Sequence, residues 1–289
     1  MALRPFTFFL LLPGVTLAQT PPERKATVAY LRSFQTEEGG FRPVPEAKAA
    51  TLRATSSGLR AIRYFGGSAG NLAGCKKFTL SCLDGKTGGF ADTPGGKPDV
   101  VVTAVGLMAL VELKVPTDKY EKAAIAYMAD NAKQFEQVRM AAAGLEAIGR
   151  SSERNKDWLA ELASPAELRR HLRQGQGAGA GHGSAVACEL RLGGEVSNPG
   201  AVVKALDAGQ RDDGGFGKAD VEGSDLETSY RVMRTYHMLK AKPKRAGDLR
   251  AFVAKCRNAD GGYGVTPGTA SSLGGTYFAG IILHWLGER

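Results

Sequence analysis

"AKCRNADGGYGVTPGTASSLGGTYFAGIILHWL", residues 254–286, carries the plan of the fold in a single unit. A segment with an apolar face runs into Gly261-Gly262-Tyr263. A spacer with Pro267 and Gly268 follows, and a second, strongly apolar segment begins after Ser272. Two adjacent residues without Cβ reach backbone conformations closed to other residues, so they end the first helix. The Ser272 hydroxyl can accept from the free N–H groups of the next helix and so starts the second.

The same turn recurs at Gly39-Gly40-Phe41, Gly88-Gly89-Phe90 and Gly214-Gly215-Phe216. The first glycines are separated by 49, 126 and 47 residues, and the long middle gap leaves room for two units that have lost the turn. Six units of this length call for a closed or stacked repeat architecture. In each, an apolar-faced helix leads into the turn (26–34, 76–82, 202–208 and 249–256), and a second helix starts at a polar cap: Asp99, Ser224 or Asp225, Ser272. Residues 119–149 and 155–193 read as degenerate versions of the pair, and no strand pattern appears. Pairs that alternate amphipathic with mostly apolar helices predict an all-α fold. It is an α/α toroid, a double-ring barrel of six inner and six outer helices, with the apolar second helices inside.

Bulk properties bound the rest. Arg4, the apolar run from Phe6 to Leu12 and Thr16-Leu17-Ala18 read as an export signal over residues 1–18, the other reading being an ordinary buried N-terminal helix. Export predicts a periplasmic or secreted protein, with residues 19–289 as one toroid domain. No later run is long and apolar enough to span a bilayer. The net charge of +9 is scattered apart from "KAKPKR", 240–245, a connector between helical patterns; no motif for reading nucleic acid accompanies it. Cys75, Cys82, Cys188 and Cys256 fit neither a disulfide framework nor a zinc finger and read as small buried residues.

With residues 254–286, the stretch "FTLSCLDGKTGGFADTPGGKPDVVVTAVGLMAL", 78–110, resembles the repeats of protein prenyltransferase β subunits, above all the type II protein geranylgeranyltransferase. The likeness runs over 26–115 and 200–287 and faintly between; the same repeat occurs in squalene-cyclase-like proteins. It implies a toroid with an apolar central funnel. In the family's enzymes it also implies a separate helical α subunit and a zinc that keeps an acceptor thiol as thiolate. Counted from the first glycine of the turn, the family's metal repeat has Asp, Cys and Tyr in twelfth, fourteenth and fifteenth place. These fall on Asp225, Glu227 and Thr228; the zinc His of the next repeat falls on Gly275, and Val102 takes that place in the repeat at Gly88. The family's diphosphate-holding Arg and Lys fall on Ala219 and Glu222, with Lys218 one place off.

Asp225 and Glu227 are therefore weak metal candidates. Ser224-x-x-Glu227 also spells a capping box, and Glu227 and Arg231 have the i, i+4 spacing of a helical ion pair. There is no D-x-D-D of a cyclase and no Cys-Gly-Glu-Gln of a thioester domain. The glycine-rich stretch 173–184 lacks a phosphate-loop signature, and His182 beside Ser184 has no G-x-S-x-G elbow. His171, His237 and His284 stand apart. Tyr230, Tyr236, Tyr277, Phe278 and Trp285 fall on the last two second helices, as walls of an open funnel or as plain core. The reading that follows is an exported prenyltransferase-like toroid that lacks the zinc transferase site, needs no cofactor, and binds an apolar small molecule or a peptide in its funnel. The alternatives are a divergent transferase with an altered zinc site and a structural domain with a filled centre.

Overall fold

The computed structural model describes residues 19–162, 180–218 and 221–287. The export signal at 1–18, His171, the glycine-rich stretch up to 179, Ala219 and the side chain of His182 lie outside the described residues. Among the described residues there are twelve helices and only isolated β-bridges at the turns. Six form an inner ring: α2 (Leu52–Tyr64), α4 (Val100–Glu112), α6 (Phe135–Ala147), α8 (Ala180–Arg191), α10 (Leu226–Met238) and α12 (Leu273–Trp285). Each packs on the next in that order, and α12 packs on α2 to close the circle. The outer helices are α1 (Pro21–Arg32), α3 (Leu72–Ser81), α5 (Glu121–Asn131), α7 (Asn155–Leu162), α9 (Pro199–Ala208) and α11 (Ala246–Lys255). Each of α3, α5 and α7 sits over the seam between two inner helices, and α1 covers the seam of α12 with α2. The toroid expected from the repeats is the fold observed, with α5 to α8 filling the two degenerate units.

The turns hold the two rings together. At Gly261 φ is 89°, a region L side chains avoid, and a Cβ there would lie 2.8 Å from the Ala26 backbone in α1. The last turn thus seats on the first outer helix, and Thr27 Oγ1 donates to the Gly261 carbonyl at 2.7 Å. The aromatic residue after each glycine pair is buried, and its N–H donates to a hydroxyl on the inner helix. The pairs are Phe41 to Thr55 (2.9 Å), Phe90 to Thr103 (2.9 Å), Phe216 to Ser229 (3.0 Å) and Tyr263 to Thr276 (3.0 Å). An extended turn residue has an N–H that no helix can satisfy, and that hydroxyl removes the cost of burying it.

Two local expectations change. The cap of α10 is Asp225: Oδ1 accepts from the Thr228 N–H and Oδ2 from the Thr228 hydroxyl, both at 2.7 Å. Ser224 instead turns to Asp213, to which its hydroxyl (2.7 Å) and N–H (2.9 Å) donate, so the Ser224–Glu227 capping box does not form. Second, α4 and α12 are apolar inner helices as expected, but α2 and α10 are inner and amphipathic, because their charged stripe faces the lumen of the ring. All four cysteines are free and buried. Burial pushes their thiols up to about 11 at Cys75 and about 12 at Cys82, Cys188 and Cys256, which makes them unreactive.

Candidate functional site

The inner ring encloses a chamber of about 260 Å³. Side chains spaced three and four apart on a helix share one face, and each inner helix turns such a face inward. From α4 come Val101, Val105 and Met108; from α6, Met140, Ala143 and Arg139; from α12, Tyr277 and Phe278. The other inner helices bring polar groups: Arg53, Ser56, Ser57 and Arg60 on α2, then Glu227, Tyr230, Arg231 and Arg234 on α10, with Arg191 from α8. Apolar and cationic side chains therefore share one small space.

Four of the six arginines have carboxylate partners: Arg53 with Asp99 (3.4 Å), Arg139 with Glu136 (2.7 Å), Arg191 with Glu146 (2.7 Å) and Arg231 with Glu227 (2.8 Å). Arg60 and Arg234 meet none among the described residues. The Arg60 guanidinium lies 5.0 Å over the Tyr277 ring, and that of Arg234 lies 4.4 Å over the Tyr230 ring. Arg234 is 6% exposed, and among the described residues neither its Nη1 nor Nη1 of Arg191 has a hydrogen-bond partner. Burial, with Arg191 and Arg139 close by, lowers the proton affinity of Arg234; Tyr230 opposes that.

Tyr230 and Tyr277 face each other with hydroxyl oxygens 3.4 Å apart. Burial alone would raise Tyr230, but Arg234 and Arg60 outweigh it and bring the phenol down to about 7. Tyr277 is pushed well above the usual phenol value by burial and by the charge on Tyr230. Above about 7 the pair therefore shares one proton, and a Tyr230 phenolate can only accept from the Tyr277 hydroxyl. The stack continues behind the chamber: Trp285 lies parallel to Tyr230 at 5.7 Å and His237 stacks on Trp285 at 5.1 Å.

Of the expected wall residues, Tyr230, Tyr277 and Phe278 line the chamber and Trp285 backs it. Tyr236 does not belong to it. Its ring is buried between the two rings of helices near Phe216, and its hydroxyl donates to Asp207 on α9 at 2.7 Å. Asp225 is occupied as a cap, while Glu227 faces the chamber tied to Arg231. At Gly275 a Cβ would fall 2.5 Å from the Tyr263 carbonyl oxygen, so no side chain fits there. Among the described residues no three His, Cys, Asp or Glu side chains gather in a group. Sequence reasoning missed the arginines. Their signal was the repeat of Arg53 with Arg60, and of Arg231 with Arg234, along two inner helices.

A family model described as prenyltransferase alpha-alpha toroid domain matches residues 2–73, 68–138 and 175–289. Among solved structures, the type II terpene cyclase MstE from Scytonema, without ligand, superposes with a TM-score of 0.57 at 10% identity over 92% of this chain and 96% of that one. A variant of that cyclase with geranylgeranyl dihydroxybenzoate gives 0.55 at 11% identity, covering 92% and 95%. A protein from Actinoplanes gives 0.57 at 10% identity, covering 92% and 98%. At such identities the likeness is one of fold. No curated protein matches the sequence.

Proposed function

We propose, for a chain that belongs to the prenyltransferase alpha-alpha toroid domain family, that the central chamber binds an elongated apolar molecule with a polar end and does so without a zinc transferase site. The observation that carries this is the closed inner ring around a chamber of about 260 Å³ whose lining combines apolar side chains (Val101, Val105, Met108, Met140, Phe278) with arginines and hydroxyls. A concave, mostly apolar site with a few convergent polar groups is the usual make-up of a small-molecule site; this volume lies just below the usual range of about 300–1,000 Å³ and suits a small ligand. The similar Scytonema cyclase takes geranylgeranyl dihydroxybenzoate as substrate, a prenyl chain on a polar head. Against zinc stand the commitments of its candidate ligands: Asp225 to the cap, Glu227 to Arg231, and position 275 with no room for a donor. A borderline-soft ion favours thiolate and imidazole over two engaged carboxylates. The reading includes export: with residues 1–18 as an export signal, the ligand would be met outside the cytoplasm.

Titration calorimetry with the short prenyl compounds geraniol, geranic acid and geranyl diphosphate tests the reading. At least one should bind the zinc-free protein with one-to-one stoichiometry, and Phe278→Asp should abolish it while the fold persists. No binding by any of them would favour a purely structural domain. Binding that needs added zinc would restore the transferase reading.

A further inference from the structure

Arg60 and Arg234 pose a question of charge balance. A guanidinium held away from water without an acceptor is costly, and the usual remedy is a nearby anion. The groups facing Tyr230 are known from every side. On α2 they are Arg53, Arg60 and Tyr64, whose hydroxyl accepts from Arg60; on α6, Glu136 and Arg139; on α8, Arg191; on α10, Glu227, Arg231, Arg234 and His237; on α12, Tyr277; and α4 brings only Val101, Val105 and Met108, whose sulfur accepts weakly from Arg60 at 3.8 Å. Glu136 and Glu227 are committed to Arg139 and Arg231. Among the described residues, the group left to balance Arg60 and Arg234 is Tyr230, whose ring Arg234 covers and whose phenol the two guanidinium groups draw toward ionisation.

A phenolate serves them poorly. It offers one oxygen, which also accepts from Tyr277, and it sits on a ring that Arg234 covers by its face. Guanidinium groups pair best with planar or tetrahedral oxyanions, which accept two parallel N–H bonds. Nη1 of Arg234 and Nη1 of Arg191 are buried donors with no acceptor among the described residues. We propose that Arg60 and Arg234 form an oxyanion subsite for the polar end of the chamber's ligand, and that the entering oxyanion replaces Tyr230 as their counter-ion while Tyr230 takes up one proton from solvent. This rests on the chamber being a ligand site. The balance is simple: one anionic head enters, one phenolate becomes a phenol, and no other bond is made or broken. Arg60 and Arg234 lie at mid-helix in α2 and α10 and are other positions than 219 and 222, to which the family resemblance assigns a diphosphate. Tyr230 titrates at about 7 in the empty chamber, so uptake appears above that pH and fades below it.

The three geranyl probes share one chain and differ in head group: neutral, carboxylate and diphosphate. Calorimetry above and below pH 7, in two buffers of different protonation enthalpy, measures both affinity and proton uptake. Geranic acid reports the uptake cleanly, since its carboxylate is ionised throughout. At least one acidic probe should bind about tenfold tighter than geraniol or better, and the preferred acid tells a carboxylate ligand from a phosphorylated one. Arg234→Gln should erase the preference. Tyr230→Phe should keep the preference and abolish the uptake. Melting curves check that both variants fold. If geraniol binds as tightly as both acids, the oxyanion subsite is wrong while the chamber still binds ligand. If no probe binds, the chamber reading falls and takes this inference with it. Proton uptake that survives in Tyr230→Phe, or is missing from the parent at alkaline pH, removes Tyr230 from the exchange.

Discussion

Asp225 and Glu227 lie two residues apart and have separate tasks. Asp225 closes the start of α10, so Asp225→Ala should cost about 1–2 kcal/mol of stability, and Asp225→Asn much less, because Asn caps as well. Glu227 contributes a half-exposed ion pair, so Glu227→Gln should leave the melting temperature nearly unchanged. Ser224→Ala should be felt for a different reason, the loss of its bonds to Asp213, at about 1 kcal/mol. A thermal melt of the four variants that ranks Glu227→Gln as the most damaging would contradict these roles. Tyr230 adds a pH signature. Its phenol ionises at about 7 in the folded chain and near 10.0 when unfolded, so the phenolate adds stability that is fully present above 10 and is lost as pH falls through 7. The stability of the parent relative to Tyr230→Phe should therefore rise between pH 7 and 10. A flat difference across that window would mean that Arg60 and Arg234 do not hold a phenolate.

The helix pairs were legible because backbone demands leave traces in sequence: glycine where φ is positive, a polar cap at Asp99 or Ser272, and apolar residues where a helix packs on both neighbours and the outer ring, as in α4. A hydroxyl four residues after each cap, at Thr55, Thr103, Ser229 and Thr276, was an equally regular trace that went unread. The chamber was only half legible. Periodicity says which stripe of a helix is polar, but not whether that stripe looks out to solvent or in to a lumen. Arg60 on α2 and Arg234 on α10 read like solvent-facing charges until ring closure puts them inside. Tyr236 failed for the same reason: an aromatic on an inner helix has two apolar sides to choose between. The turn glycines make a test at this scale. Gly261→Ala should cost about 2 kcal/mol or more, since it meets both a positive φ and the α1 backbone. Gly268→Ala, at φ 78° with no atom near its Cβ, should lose only about 1–2 kcal/mol. Equal losses in chemical denaturation would mean that the turn does not seat on α1.

Ring closure gives the whole molecule a property that an open helical array lacks, because its first and last helices are neighbours. Thr27 on α1 binds Gly261, Glu23 pairs with Arg257 at 3.4 Å, and Tyr64 at the end of α2 packs on His284 of α12 at 5.0 Å. No helix among the described residues is long and apolar enough to cross a membrane. A closed ring should tolerate a cut wherever the backbone is exposed and few contacts cross it. A permuted chain that begins at Glu195, in the exposed loop between α8 and α9, and joins residue 287 to residue 19 by a glycine–serine linker keeps every seam. It should unfold in one cooperative step within about 5 °C of the parent. Deleting residues 19–34 cuts no more chain, but it uncovers the seam of α12 with α2 and removes the buried side chains of Val28, Leu31 and Phe34. At about 1.5–3 kcal/mol for each, that loss is of the same order as the stability of a typical domain, so the deleted protein should lose its cooperative transition. A deletion that melts like the parent, or a permutant that fails to fold, would show that the first helix does not close the circle and that the chamber owes its shape to something other than the ring.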